Sequence, residues 1–441
     1  MKVSIIRGGA ATFALGVALF AAQAAWAKDI VIHAGRLIDG VSHTERSNMS
    51  IVIHDDRIIA IEAGFTDVAG AEVIDLSHST VLPGLIDCHV HLLLQLGASN
   101  PQLGLVTHSA YDELISGVEH ARTTLLAGFT SVRDVGGYTP AIVALKKGVG
   151  NGEVMGPRMW VSGSILGPTG GHADLSNGFD ELLSKPEWVD GIVDSPEAGI
   201  KAVRELHRAG VDLIKIAPSG GVATVGDDPQ AQLMTDAEIK AIVDTAHTLH
   251  MKVAAHAHGT GAIDAATALG VDSIEHGSFA NDGSYRIMKA RGTYLVPTLI
   301  AGATVVDFAK SHPDLLLPSA AAKALAVGPI MSRNAYNAYK AGVRIAFGTD
   351  AGIYPHGQNA KEFKLMVDAG IPPMESIIAA TSSAADLIGD TADIGSLQPG
   401  RYADIIAVDG DPIADITQLQ HVTFVMKGGV TFKWAGKAVP S

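Results

Sequence analysis

The sequence predicts an α/β protein: a (β/α)8 TIM barrel with a small β-sandwich formed by the two chain ends. The first supporting observation is size, because 441 residues with 47% hydrophobic side chains suffice for a large core. The second is the alternation of apolar strand-like runs with helix-like segments between residues 81 and 395. The third is the β-rich texture of both flanks. An open doubly wound sheet is the runner-up, but no G-x-G-x-x-G motif follows the first strand.

Residues 1–27 have the pattern of a secretory signal peptide. Lys2 and Arg7 precede an apolar stretch, and Ala25-Trp26-Ala27 supplies an A-x-A cleavage pattern. A membrane anchor is the alternative, and it is less favoured because the apolar stretch is short for a bilayer span. We therefore expect an exported protein, periplasmic or secreted, with no stable membrane association after cleavage.

Residues 28–80 and 396–441 are the two predicted parts of the sandwich. Alternating apolar residues between Gly and Asp turns indicate short strands there, as in "MSIVIHDDRIIAIE" and "VTFVMKGGVTFKWAG". Residues 81–395 are the predicted barrel. Its eight strands are expected at "VLPGLIDCHVH", "FTSVRDVG", "RMWVSGS", "VDLIKIAPSG", "KVAAHAHG", "VDSIEHG", "TYLVPTL" and "RIAFGTDAG". Segments such as 235–250, which starts with Thr-Asp and has helical periodicity, are expected to be the intervening helices.

Charge and cysteine content narrow the function. The net charge of −14 argues against nucleic acid and anionic membrane surfaces as partners. Cys88 is the only cysteine, which excludes an internal disulfide and leaves stability to packing and bound metal. We expect Cys88 to be a small buried residue rather than a nucleophile, because its neighbours look like metal ligands. We expect Arg133 and Asp134 to form a structural ion pair.

Polar residues end several of the predicted barrel strands. In a barrel of this kind the active site lies at the carboxyl ends of the strands, so these side chains are expected to meet. They are His89, His91, Lys215, His256, His258, His276 and Asp350. Imidazole and carboxylate together suit Zn²⁺ or a similar transition metal. The pattern therefore predicts a metal site.

Lys215 does not fit a metal site as an ammonium, and a buried lysine is costly unless it is paired. Carboxylation by CO2 would resolve this conflict, because a carbamate is an anion with two oxygens that can bridge two metals. Burial would assist by lowering the lysine pKa and exposing the free amine. We therefore predict a carboxylated Lys215 between two divalent ions, with Zn²⁺ preferred.

The chain resembles the amidohydrolase superfamily in its binuclear-metal subtype. The resemblance rests on "PGLIDCHVH", "HAHG", "IEHG", "GTDAG" and "GSLQPGRYADIIAVD" together, and it covers nearly all of the chain after residue 27. It implies the barrel with a sandwich from both ends, and a homo-oligomer, with an octamer as one candidate. The implied metal ligands are His89, His91 and Asp350 for the more buried ion, His256 and His276 for the other, and carboxylated Lys215 as the bridge.

The family resemblance also implies a catalytic role. Asp350 would accept the proton of the attacking water and later deliver it to the leaving amine. The substrate would be a small molecule or a dipeptide.

A finer resemblance concerns the substrate. "GPTGGHAD" (167–174) and "TDAGIYPHG" resemble exported Xaa-prolyl and other Xaa-amino-acid dipeptidases and the ochratoxin-hydrolysing amidases. On this basis His172 would bind the substrate carboxylate, His258 the carbonyl oxygen or carboxylate, and His356 another part of the substrate. Solvent-exposed loop histidines are the alternative for His172 and His356. The stretch "LLLQLG" (92–97) suggests an apolar wall and a hydrophobic or aromatic leaving amino acid.

The predicted function is a metal-dependent amide hydrolase that releases a C-terminal hydrophobic or aromatic amino acid from a dipeptide or N-acyl amino acid, including ochratoxin A. An imidazolonepropionase-like cyclic amide hydrolase and a mononuclear deaminase of the same fold are the alternatives. Such deaminases lack the bridging lysine and commonly have a Glu shortly after the fifth-strand histidine, whereas "HAHGTGA" has none. A non-catalytic exported binding protein is a third alternative, which the full ligand set disfavours.

Overall fold

The computed structural model describes residues 29–96, 101–183, 185, 190–312 and 316–439. The predicted signal peptide, residues 1–27, lies outside the described residues. In chain order the strands are β1 (Asp29–Leu37), β2 (Arg46–His54), β3 (Arg57–Ala63), β4 (Glu72–Pro83), β5 (Leu85–Val90), β6 (Phe129–Asp134), β7 (Arg158–Val161), β8 (Leu213–Ile216), β9 (Lys252–Ala257), β10 (Ser273–His276), β11 (Tyr294–Val296), β12 (Arg344–Ile345), β13 (Ile405–Val408), β14 (Phe424–Lys427), β15 (Val430–Trp434) and β16 (Lys437–Ala438).

The described α-helices lie between β5 and β13. They are α1 (Pro101–Thr107), α2 (Ala110–Leu126), α3 (Thr139–Gly150), α4 (Pro196–Ala209), α5 (Asp236–Thr248), α6 (Thr260–Ala268), α7 (Asp282–Arg291), α8 (Leu299–Ser311), α9 (Pro318–Ala341), α10 (Lys361–Ala369), α11 (Pro373–Ala379) and α12 (Ser382–Ile388). The start of α5 confirms the predicted start signal, because Thr235 caps the helix in a capping box with Glu238. No helix in the described ranges is both long and apolar enough to cross a membrane.

Strands from both chain ends combine in one mixed sheet. Among the described residues its order is β16-β15-β14-β13-β4-β1-β2-β3. Strand β4 joins the two halves, because it pairs in parallel with β1 and antiparallel with β13. One apolar cluster, which includes Ile32, Ile405 and Phe424, is shared by both ends. The ends therefore form one unit, as expected, but the sheet topology does not confirm a two-sheet sandwich. Residues 81–83 belong to β4, so the predicted boundary at residue 81 falls inside this strand.

All eight predicted barrel runs contain strands, and these strands lie in two parallel sheets. The described strands give the orders β5-β6-β7 and β12-β11-β10-β9-β8. Backbone hydrogen bonds connect the sheets at both edges: Cys88 N donates to Phe347 O (2.8 Å), and Leu166 N donates to Lys215 O (2.8 Å). The carboxyl ends of parallel strands face the same side, so the polar residues at these ends lie near one another.

Candidate metal centre

The first donor cluster consists of His89, His91 and Asp350. The Asp350 Oδ1 atom lies 3.4 Å from His89 Nε2 and 3.2 Å from His91 Nε2. Asp350 follows β12 with a φ of +61°, and its N–H donates to the His89 carbonyl (2.7 Å). A Cβ at Gly348 would lie 3.0 Å from His89 Cβ and 2.2 Å from Val296 Cγ1, so this close approach requires glycine. The structure therefore brings these three predicted ligands together.

Hydrogen bonds at the outer nitrogens orient the two rings of the first cluster. His89 Nδ1 lies 2.8 Å from Glu275 Oε2, and His91 Nδ1 lies 2.9 Å from the Gly136 carbonyl oxygen. Both acceptors require a proton on Nδ1, which leaves the Nε2 lone pairs directed toward Asp350. A carboxylate behind a histidine ligand is a common arrangement in metal sites, where it fixes the ring and raises its basicity.

Arg133 holds the Glu275 carboxylate. Its guanidinium donates to Glu275 Oε1 (2.8 Å) and to the Cys88 carbonyl (2.6 Å). Burial raises the pKa of Glu275, but the Arg133 charge and the His89 hydrogen bond outweigh it and hold this pKa well below its usual range. The predicted ion pair with Asp134 is wrong, because Asp134 accepts the Leu92 N–H (2.7 Å) instead. Successive strand residues point to opposite faces, which separates the two side chains. Cys88 is buried, as predicted.

The second donor cluster consists of His256, His258 and His276, whose ligand atoms all lie within 4.8 Å of one another. His258 Nδ1 contacts Ser278 Oγ (2.7 Å), and His276 Nδ1 contacts Thr298 Oγ1 (2.6 Å). These contacts leave Nε2 of both rings available. His256 differs, because its Nε2 faces the Gly220 carbonyl oxygen (3.3 Å) and leaves Nδ1 available.

Burial keeps the second cluster neutral. It lowers the pKa of His256 and His276 well below the usual histidine value, and it lowers the pKa of His258 to about 3. Neutral imidazole is the form that binds metals. His258, which the sequence assigns to substrate binding, lies among the donors and offers this cluster a third nitrogen.

Lys215 lies in β8 and is almost completely buried, with 1% of its surface exposed. Burial lowers its pKa to about 8, although the Glu275 and Asp350 carboxylates act in the opposite direction. Among the described residues no hydrogen bond or salt bridge to Nζ contributes to this pKa. Its charge in turn lowers the pKa of all three histidines of the second cluster. Lys215 is therefore electrostatically coupled to both clusters, and about a tenth of it is the free amine at pH 7.

The predicted substrate residue His172 lies against the second cluster. Its ring stacks on His256 with a centroid separation of 4.0 Å and an interplanar angle of 21°. Its Nδ1 is hydrogen-bonded to Thr224 Oγ1. Burial lowers the pKa of His172 to about 4. This environment differs from that of a solvent-exposed loop histidine.

His356 has different neighbours. Its ring stacks on His120 (centroids 4.4 Å apart), and its Nε2 is 2.9 Å from the Leu94 carbonyl oxygen. Within the described ranges neither donor cluster includes it. The adjacent "LLLQLG" stretch offers less apolar surface than expected, because Leu92 and Leu93 are buried in the core while Leu94 keeps 37% exposure. Gly97 lies outside the described residues.

Sequence reasoning misses Glu275 and Asp87, although both stand beside predicted ligands. Buried Asp87 accepts from Thr349 Oγ1 (2.6 Å), Asn359 Nδ2 (2.8 Å) and the His89 N–H (3.1 Å), and burial raises its pKa to about 7. Strand alternation predicts that Glu275 points away from the site if His276 points into it. The φ of +69° at His276 breaks this alternation, so both side chains reach the site.

Histidine and aspartate clusters at the strand ends of a mixed α/β fold can hold divalent metal ions. The model of the Amidohydrolase family matches residues 80–432, and the chain belongs to this family. It is 34% identical over 436 residues to ochratoxinase from Aspergillus niger, covering 93% of this chain and 88% of that protein.

Solved structures similar to this chain include the following two. One is a Xaa-Pro dipeptidase with bound methionine in the active site, with a TM-score of 0.88 and 39% identity, covering 92% of this chain and 100% of that one. The other is A. niger ochratoxinase, with a TM-score of 0.80 and 31% identity, covering 92% of this chain and 96% of that one.

Proposed function

We propose that this protein is a metal-dependent amide hydrolase that releases a C-terminal hydrophobic or aromatic amino acid from a dipeptide or an N-acyl amino acid, with ochratoxin A among its substrates. The observation that carries the proposal is that two donor clusters lie next to each other, with the His89 and His276 ring centroids 5.1 Å apart, and that a buried Lys215 interacts electrostatically with both. The similarity to an ochratoxinase and to a Xaa-Pro dipeptidase supports an amide or peptide bond next to an amino acid.

We also propose two divalent ions, preferably Zn²⁺, as cofactors. His89, His91 and Asp350 would hold one ion, and His256 and His276 the other, with carboxylated Lys215 as the bridge. The donor chemistry fits: the imidazoles have one nitrogen committed to a hydrogen bond and the other available, and Asp350 supplies an anionic oxygen. When bound, the ions would lower the pKa of water and polarise the scissile carbonyl.

Asp350 is the proposed general base. Its Oδ1 atom lies close to Nε2 of both histidines of the first cluster, so the carboxylate is at the proposed position of the first ion. It would accept the proton of the attacking water and then protonate the leaving amine. His172 and His258 would donate hydrogen bonds to the substrate carboxylate and carbonyl oxygen. His356, which contacts Leu94, would act farther along the substrate.

The alternatives are an imidazolonepropionase-like cyclic amide hydrolase and a mononuclear deaminase. Each would use one metal ion, whereas the proposed enzyme binds two. Metal stoichiometry therefore separates them: two equivalents per chain support the proposal, and one equivalent contradicts it.

The deciding experiment is a substrate screen with metal-reconstituted protein. N-acyl amino acids, Xaa-dipeptides and ochratoxin A are incubated with the enzyme, and release of the amino acid is quantified. Chelator-treated protein and the Asp350→Asn variant are the controls. We expect release of phenylalanine from N-acyl-phenylalanine. No release of an amino acid from any acyclic amide, combined with deamination or cyclic-amide opening, would overturn the proposal.

Further proposals concern fold and assembly. We propose that the two parallel sheets close into one (β/α)8 barrel, supported by the backbone hydrogen bonds at both sheet edges, and that the terminal strands fold over as a small sandwich. A homo-oligomer, with an octamer as one candidate, and export to the periplasm or medium remain predictions. Analytical ultracentrifugation and N-terminal sequencing of the mature protein test them.

A further inference from the structure

One lysine outside the donor clusters donates its hydrogen bonds to a single loop. Lys323, in α9, donates from Nζ to the Gly221 carbonyl (2.7 Å) and to Asp227 Oδ1 (2.8 Å). It also donates to the carbonyls of Thr224 and Asp227. The side chains of Lys323 and Asp227 are only 15% and 1% exposed, respectively. The ion pair is therefore shielded from water, and removing either charge leaves the other buried without its partner.

The loop held by Lys323, residues 220–228, contacts the predicted carboxylate-binding residue. Thr224 Oγ1 is hydrogen-bonded to His172 Nδ1. Gly221 makes room for the same ring, because a Cβ there would lie 2.0 Å from His172 Nδ1. Asp227 Oδ2 also accepts the Gly221 N–H (2.9 Å), which closes the loop on itself. Lys323 thus fixes both loop residues that surround the His172 ring.

The Thr224 contact determines what His172 can do. A neutral imidazole carries one proton, and its second nitrogen is an acceptor. A threonine hydroxyl can donate or accept; when that of Thr224 donates to Nδ1, the proton is on Nε2, which can then donate to a carboxylate. Without Thr224 in place, the ring can turn away from its stacked position on His256. A correctly placed loop therefore holds the ring in position and allows the donor form of His172.

We propose that Lys323 is a positioning residue for substrate selection: by fastening the 220–228 loop it orients His172 through Thr224 and so enforces the requirement for a free substrate carboxylate. This inference rests on the proposed function, because it presupposes an amide substrate with a carboxylate. It assigns to α9 a role in discrimination rather than in bond cleavage.

The test compares Lys323→Met with Lys323→Arg in metal-loaded full-length protein. Lys240→Met is the matched control, because Lys240 is an exposed lysine of α5 that pairs with Asp244. Measurements are bound metal per chain, kcat and KM for N-acyl-phenylalanine and for its C-terminal amide, and hydrogen exchange of the loop amides. A site built for a polar group rejects analogues that lack it, so wild-type kcat/KM should be at least about 100-fold higher for the acid than for the amide.

We expect Lys323→Met to keep its metal and its kcat on the amide, to raise KM for the acid, and to lower the acid-to-amide ratio at least about tenfold. Loop amides, including that of Gly221, should exchange faster. Lys323→Arg should restore most of the ratio, and Lys240→Met should match wild type. Combined with His172→Ala, Lys323→Met should cause no further loss in the ratio, because residues acting through one another are not additive.

Three results are decisive. A Lys323→Met enzyme that keeps the wild-type acid-to-amide ratio overturns the positioning role and leaves the hydrolase proposal intact. Additive losses in the double variant also overturn it, because Lys323 would then act independently of His172. A wild-type enzyme that cleaves no amide overturns the proposed function itself. If the loop amides of Lys323→Met then still exchange faster than those of wild type, the contact of Lys323 with the loop is purely structural.

Discussion

The two donor clusters differ in charge and in the groups that hold them. The first contains a carboxylate, Asp350, and its His89 ring is held by the buried Glu275–Arg133 ion pair. The second consists of three imidazoles that burial keeps neutral. Its rings are held by uncharged oxygens, those of Gly220, Ser278 and Thr298.

This asymmetry is the physical argument for the proposed carboxylation of Lys215. A divalent cation in a buried site needs nearby negative charge, and the second cluster has no carboxylate of its own among the described residues. A carbamate on Lys215 would supply that charge and share it with the first ion. If this is correct, the second cluster should depend more strongly on Lys215 than the first does.

The largest expected effect is therefore that of Lys215→Ala. We expect activity to approach zero and the metal content to fall below two ions per chain, with the ion of the second cluster lost first. Short carboxylic acids or added bicarbonate at high concentration should restore a small part of the activity in the alanine variant. Metal analysis and kcat measure this, with exposed Lys240→Ala as control. A fully active variant with two ions would refute the bridge.

Asp350→Asn tests the charge of the first cluster. General base catalysis contributes roughly 10²–10⁴-fold to a rate. Because the substitution also removes an anionic ligand, we expect kcat to fall by a factor of this size or larger. The second cluster should keep its ion, since its three histidines are unchanged. A fall of less than about tenfold, which is 1.4 kcal/mol, would show that Asp350 is not the base.

Glu275→Gln tests the charged support of the first cluster. The amide cannot fully replace a carboxylate that accepts from both His89 and Arg133, so the ring loses its fixed orientation. Groups behind metal ligands typically contribute about 10–100-fold to metal affinity or activity. Titration with a competing chelator measures the affinity, and exposed Glu205→Gln is the control. Unchanged affinity at the first cluster would show that the ion pair only supports the fold.

The sequence predicts those site residues whose positions follow from regular strand geometry. The ligands at strand ends are predictable because parallel strands place their carboxyl ends on one side. Glu275 is not predictable, because the positive φ at His276 interrupts the alternation that a strand pattern assumes. Thr298 and Ser278 carry no recognisable signal either, since any loop contains hydroxyl residues and only the tertiary structure decides which one meets a ring.

The fold, like the site, is predictable where it depends on local sequence pattern and not where it depends on tertiary contacts. Alternating apolar residues predict the terminal strands, and all eight barrel runs contain strands. The alternation does not predict which strands pair. β4 pairs with β1, which precedes it by two intervening strands, and with the distant β13, and it extends past the predicted boundary to Pro83. Such pairing depends on long-range packing rather than on local periodicity.

The pH dependence of reconstitution tests the chemistry of the bridge. Only the free amine of Lys215 can react with CO2, and burial lowers its pKa to about 8. The free-amine fraction therefore rises as pH increases through 8, and activation of metal-free protein at constant dissolved CO2 should accelerate about tenfold between pH 7 and pH 9. Stopped-time activity assays measure the rate. A rate that does not change over this interval, or that still rises about tenfold per pH unit at pH 9 as an ordinary lysine pKa near 10.4 requires, would contradict a buried, reactive amine.

The smallest expected effect concerns the uncharged support of the second cluster, and it completes the comparison with Glu275. Thr298→Val preserves shape but removes the hydroxyl that contacts His276 Nδ1. A neutral hydrogen bond contributes about 1 kcal/mol, so metal affinity at the second cluster should fall only about fivefold, less than for Glu275→Gln at the first. Thr298→Ser keeps the hydroxyl and should behave like wild type. A loss for Thr298→Val as large as that for Glu275→Gln would mean that charge in the supporting groups does not distinguish the two clusters. The proposed carbamate of Lys215 would then lose its support from charge balance.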